Sequence, residues 1–118
     1  MQESIYDQFI THFKAAAEAF KVGDPADPDT FQGPQVNEAQ FRKVLDYIES
    51  GKRSGAKLLT GGSRHGSRGY FIQPTVFGDV TMDMKIAREE IFGPVASVIR
   101  FKDEADAISI ANNTEVSQ

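Results

Sequence analysis

The stretch that most constrains this chain is Glu89-Glu90-Ile91-Phe92-Gly93-Pro94, which leads directly into Val95-Ala96-Ser97-Val98-Ile99-Arg100-Phe101. The second run is mostly apolar and partly β-branched, and predicts a buried strand. Pro94 has no backbone N–H and pushes Gly93 out of the α region, so the turn before the strand is stiff. A stiff turn beside a strand holds its neighbours in one orientation. Glu90 and Phe92 are therefore positioned to offer a ligand a fixed carboxylate and a fixed ring. The alternative is a surface ion-pair partner and a core phenylalanine, since charged turns are usually solvated and exposed pairs contribute little to stability.

The rest of the chain alternates helical and extended patterns. Ile5, Phe9, Phe13, Ala16, Ala17 and Phe20 recur at helical spacing, with Ser4 as the expected cap and Gly23 as the expected stop. Asp24-Pro25-Ala26-Asp27-Pro28-Asp29 reads as a turn-rich loop. Its aspartates lack the spacing, the bend glycine and the closing glutamate of a calcium loop. Asn37 begins a second helix and forms a capping-box-like pair with Gln40. Phe41, Val44, Leu45 and Ile48 make its apolar stripe, and Gly51 or Gly55 closes it. Gln40 and Lys43 lie three apart on one face of this helix.

Ala56 to Thr60 predicts a short strand, and Gly61 to Gly69 a surface loop. That loop contains arginines, but it matches neither dinucleotide nor nucleotide phosphate-loop spacing. Gly69 to Phe77 is extended and interrupted at Pro74, giving two short strands or an edge strand. Asp79 to Asp83 reads as a turn and Met84 to Ala87 as a helical turn. A last helix is capped by Asp103, with Ala107, Ile108 and Ala111 facing inward, and ends at Asn112-Asn113-Thr114. Helices alternating with strands predict an α/β fold with an open, mostly parallel sheet and flanking helices.

With 118 residues the chain is one small domain, and its net charge of −4 argues against nucleic acid. No apolar run is long enough to span a bilayer. There is no cysteine, hence no disulfide, no thiolate metal site and no thiol nucleophile. With two histidines as well, a metal site is not expected. Hydrophobic content of 40% is low for a self-sufficient core.

The segment Met84-Lys85-Ile86-Ala87-Arg88-Glu89-Glu90-Ile91-Phe92-Gly93-Pro94-Val95 closely resembles part of the catalytic domain of NAD(P)-dependent aldehyde dehydrogenases. Gln2 to Asp7, Gln32 to Val36 and Gly69 to Phe77 resemble the same family in the same order, and the similarity runs to about Glu115. The resemblance implies that residues 1–118 are a partial aldehyde dehydrogenase catalytic domain. The family oxidises an aldehyde to a carboxylic acid with NAD or NADP as acceptor. A cysteine thiolate attacks the carbonyl, and a glutamate activates the water that releases the acid.

The resemblance places that cysteine a few residues upstream of Gln2, and the glutamate, the oxyanion amide and the pyrophosphate loop further upstream. No catalytic residue is therefore expected in this chain. What it implies here is cofactor binding. Glu90 matches the carboxylate that holds the nicotinamide ribose, and Phe92 the apolar residue beside that ribose. Gln40 and Lys43 match positions near a ribose of the dinucleotide. Glu89 and Arg88 are expected to be structural.

The partners implied are an aldehyde and a dinucleotide in the intact enzyme, and a homo-oligomeric parent, dimer or tetramer. The cytoplasm is the expected compartment, with the mitochondrial matrix as the alternative. Where the family continues into a Tyr-Gly-Leu-like run, this chain reads Val116-Ser117-Gln118, which suggests a truncated or misjoined product. The rival expectation is a non-catalytic binding or assembly module that pairs with full-length subunits. Neither aldehyde specificity nor the choice between NAD and NADP is legible from these residues.

Overall fold

The structure is a computed structural model that describes residues 1–113. A 3-10 turn at Glu3–Ile5 leads into helix α1 (Tyr6–Glu18). Then come helix α2 (Glu38–Arg53), strand β1 (Lys57–Thr60), strand β2 (Thr75–Val80), the one-turn helix α3 (Lys85–Arg88), strand β3 (Val95–Ile99) and helix α4 (Glu104–Ala111). The sheet has the order β1-β2-β3. β2 and β3 run parallel, joined by a crossover that contains α3, and β1 adds antiparallel to β2. An isolated parallel bridge pairs Gln2 with Phe101, just past the end of β3. The expected α/β fold with an open sheet and flanking helices is the one observed.

β2 is the centre of the molecule because both its faces are covered. Successive strand residues point to opposite sides. Val76 packs with Tyr6, Ala17 and Val98, with Phe9 and Phe13 of α1 beside them. Phe77 packs on the other face with Val44 and Ile48 of α2 and with Ile86 of α3. Alternation alone puts Val80 on the Val76 face. The register shifts between Phe77 and Val80, and Asp79 sits at φ 51°, so a bulge returns Val80 to the Phe77 face. Burying a side chain such as Phe77 contributes about 2–3 kcal/mol. An exposed ion pair contributes about 1 kcal/mol at most. The two apolar layers therefore hold the fold.

Several expectations change. Ser4 does not cap α1, which begins after the 3-10 turn and stops at Glu18. Beyond it the chain turns extended so that Val22 can bridge Gln32, and Gly23 donates to the Gln32 carbonyl. The Gly69 to Phe77 region yields one named strand, β2, and it is central rather than at an edge. The turn expected from Asp79 begins later, because β2 runs on to Val80.

The run after Pro94 is a strand but a half-buried one. Only Val98 is fully buried, since β3 lies at the sheet edge among the described residues. Asp103 caps α4 as expected, accepting from the Asp106 amide at 3.0 Å. Yet α4 buries no residue; Ile108 and Ala111 are exposed and Ala107 is half-buried. The helix stops at Ala111 with Asn112 as its C-cap, as the Asn112-Asn113 pair predicts, whereas Thr114 and the divergence at Val116–Gln118 lie outside the described residues.

Phe20 and Phe31 stack at 4.0 Å between ring centroids and are both exposed. Together with half-buried β3 and α4, they leave apolar surface of the kind that drives association. The purified chain is expected to self-associate and to lack a cooperative melt. Light scattering and differential scanning calorimetry check this, and a monomer with a sharp transition would overturn it.

Candidate functional site

The Glu89–Pro94 segment leaves α3 and turns into β3. α3 closes when the Glu89 amide donates to the Lys85 carbonyl at 3.0 Å and Glu89 itself becomes extended (φ −115°, ψ 141°). Next, the Gly93 amide donates to the Ile91 carbonyl and the Val95 amide to the Gly93 carbonyl, both at 2.8 Å. Pro94 has no N–H to give, but its carbonyl accepts the Thr75 amide at 2.8 Å and opens the β2–β3 ladder. The stiffness expected from the Gly-Pro pair is thus anchored in the sheet.

One face of α2 lies along this segment. Asn37 caps the helix by accepting the Gln40 amide at 2.9 Å. The reciprocal half of the expected capping box does not form, because the Gln40 side chain reaches elsewhere: Nε2 donates to the Phe92 carbonyl at 2.6 Å. One turn on, Val44 meets Gly93, where a Cβ would stand 2.5 Å from Val44 Cγ2. Another turn on, the Tyr47 hydroxyl donates to Glu89 Oε2 at 2.7 Å. Residues 40, 44 and 47 share one side of a helix, so a single stripe touches the segment at Glu89, Phe92 and Gly93.

Of the sequence-derived candidates, the structure joins Gln40 to Phe92 directly. The Phe92 ring is 63% exposed rather than core. Glu90 is exposed and its carboxylate has no hydrogen bond or ion pair among the described residues. Lys43 is exposed on α2 and unpaired in the same sense. Glu89 is structural, as expected: besides Tyr47 it faces Lys85 Nζ at 3.8 Å. The helix closes past Arg53, with Gly55 in the left-handed region at φ 91°, while Gly51 is internal and buried.

Sequence reasoning passed over Tyr47. The available signal was a phenol inside an apolar stripe, since a buried tyrosine hydroxyl requires a partner. The Glu89 carboxylate, by accepting that bond, raises the Tyr47 pKa above its ordinary value, with burial adding in the same direction.

The Gly61–Gly69 stretch is a surface loop, as expected. Arg64 is turned inward on it, donating to the Ser67 and Gly69 carbonyls, so its guanidinium is not held out for an anion. Among the described residues no group of three His, Asp or Glu is arranged to hold a metal ion, and no helix is long and apolar enough to cross a membrane.

Comparison with known proteins gives a consistent answer. The family model described as "Aldehyde dehydrogenase family" matches residues 1–118. An aldehyde dehydrogenase of Emericella nidulans is 60% identical over 115 residues, which is 98% of this chain and 23% of that protein. A mitochondrial aldehyde dehydrogenase of Mesocricetus auratus is 53% identical over 115 residues, again 98% of this chain and 23% of that protein. The crystal structure of an aldehyde dehydrogenase from Mycobacterium tuberculosis complexed with NAD+ superposes with a TM-score of 0.92. It is 44% identical, and the match covers 96% of this chain and 24% of that one. The chain thus spans about 23% of the length of the curated relatives it matches.

The raised Tyr47 pKa has a sign that can be tested. A phenol whose pKa is higher folded than unfolded adds stability below its unfolded pKa, near 10, and loses it as pH rises through the folded value. A spectrophotometric titration of an enzyme carrying this segment is expected to lose one late-ionising phenol in the Tyr47→Phe variant. An unchanged titration curve would show that Tyr47 does not ionise late.

Proposed function

Since the chain belongs to the aldehyde dehydrogenase family, we propose that it is part of the catalytic domain of an NAD(P)-dependent aldehyde dehydrogenase and forms one wall of its dinucleotide site. The parent enzyme is an oxidoreductase that converts an aldehyde to a carboxylic acid. The observation that carries this reading is the Glu90 carboxylate, unpartnered among the described residues and flanked by Glu89 and Phe92, both fastened to α2.

The residues present suit a ribose. An ionised carboxylate accepts two hydroxyl hydrogen bonds at once, each charge-assisted. In Glu90 both oxygens are unengaged among the described residues, so no internal bond must break before a sugar binds. The exposed Phe92 ring offers an apolar surface two residues away. Gln40 keeps Oε1 and one amide hydrogen after bonding Phe92, and Lys43 adds an ammonium group one turn along the same helix.

When bound, the dinucleotide supplies the hydride acceptor. The work of this wall is orientation: Glu90 fixes the sugar, and the sugar fixes the direction of the ring attached to it. Close alignment of donor and acceptor is worth several orders of magnitude in rate.

The nucleophile and the general base are assigned to other parts of the parent. The chain has no cysteine, so by itself it is proposed to be inactive. The compartment assigned is the cytoplasm. The rival compartment is the mitochondrial matrix, named for one relative. Half-buried β3 and the exposed Phe20–Phe31 pair favour a second reading, in which the chain docks on full-length subunits as an assembly module. Co-purification of the tagged chain with a full-length relative would favour that second reading.

Glu90→Gln in the intact enzyme is expected to weaken the ribose contact by about 1.5–3 kcal/mol, or roughly 10- to 150-fold in NAD+ affinity. The single-turnover rate of NADH formation should fall as well. Wild-type values for both would remove the role. The purified 118-residue chain is expected to form no NADH from an aldehyde and to hydrolyse no ester, and turnover of either substrate would contradict its assignment as inactive alone.

A further inference from the structure

We propose that Tyr47 is a positioning residue for this cofactor wall: by holding the neighbouring Glu89 against α2 it aims the Glu90 carboxylate away from the helix, at the ribose. The inference rests on the reading of Glu90 given above.

Glu90 forms no bond of its own among the described residues, so its direction is set by what flanks it. On one side Glu89 is extended, and extended backbone sends successive side chains to opposite sides. Glu89 turns toward α2, where Tyr47 meets it at 2.7 Å. By that alternation the Glu90 side chain is directed away from the helix. On the other side Gln40 holds the Phe92 carbonyl.

Tyr47 differs from Gln40 in having nothing left to offer a ligand. Its ring is buried, 7% exposed, with Lys85 Nζ 4.6 Å from the ring centroid, and its hydroxyl is engaged by Glu89. Any effect of removing that hydroxyl on cofactor binding must therefore pass through the Glu89–Glu90 segment. The substitution Tyr47→Phe removes one oxygen and keeps the ring that fills the core. Glu89→Gln keeps a carbonyl oxygen that can accept the same bond, and Glu89→Ala does not.

The test uses the intact enzyme that carries this segment, without cofactor for hydrogen exchange and with NAD+ for binding. Tyr47→Phe is expected to raise backbone exchange across residues 89–95 by about tenfold, the scale of one lost hydrogen bond. It is expected to raise the NAD+ Kd severalfold, and to add nothing further in a Glu90→Gln background, because both changes act on one contact. Glu89→Ala should reproduce the effect and Glu89→Gln should largely spare binding.

Unchanged exchange across 89–95 would overturn the proposal, as would a Tyr47→Phe effect on Kd that adds in full to that of Glu90→Gln. A Glu90→Gln enzyme with wild-type NAD+ affinity would instead overturn the cofactor reading of Glu90, and the positioning role with it. The exchange result would still report separately whether Tyr47 fastens the segment.

Discussion

Val44 lies so close to Gly93 that even a methyl group on the glycine would stand 2.5 Å from Val44 Cγ2. That approach sets the distance between α2 and the turn into β3, and other features follow from it. With the helix this near, Gln40 reaches the Phe92 carbonyl and Tyr47 reaches Glu89. Val44 itself is fully buried in the layer that also contains Phe77, Ile48 and Ile86. A larger residue at position 93 pushes the helix off the turn and stretches both hydrogen bonds. Overpacking of this kind typically costs about 1–3 kcal/mol. Here the cost falls on the very segment that carries Glu90.

The two sides of the sheet are tied together differently. The α2 side is joined to the sheet mainly by apolar packing. On the α1 side, Tyr6 is nearly fully buried, and its hydroxyl accepts the Asp79 amide at 2.6 Å. Asp79 is the bulge residue, so Tyr6 satisfies a backbone group that the interrupted ladder leaves unpaired. Arg100 lies 3.4 Å above the Tyr6 ring and pairs with Asp79 and Asp7, which closes the cluster toward solvent. Irregular backbone in β2 is therefore supported by one aromatic side chain and one guanidinium, as a bulge requires.

The candidate site shows the division of labour that orientation demands. Groups that define geometry are engaged, whereas the group that would meet a ligand is not. Tyr47, Glu89, Gln40 and the Phe92 carbonyl all have partners within the fold, while the Glu90 carboxylate has none among the described residues. Preorganisation of this kind reduces the ordering cost that binding must overcome.

Much of the local structure was legible because it depends on neighbours in sequence. Asn37 and Asp103 cap their helices three residues away, the stripe Phe41-Val44-Leu45-Ile48 faces the core, and Pro94 stiffens the turn it occupies. The composition and order of these signals also determined the α/β class. What only the tertiary structure decided involves partners far apart in the chain. Tyr47 finds Glu89 across 42 residues, Gln40 finds Phe92 across 52, and Tyr6 finds the Asp79 amide across 73. The burial of β3 belongs here too, because an apolar run states only that a strand can be covered. Whether it is covered depends on which elements pack beside it, and in this chain it lies at an edge. Caps, turns and periodicity are short-range properties, whereas contact across a sheet requires the whole backbone to close first.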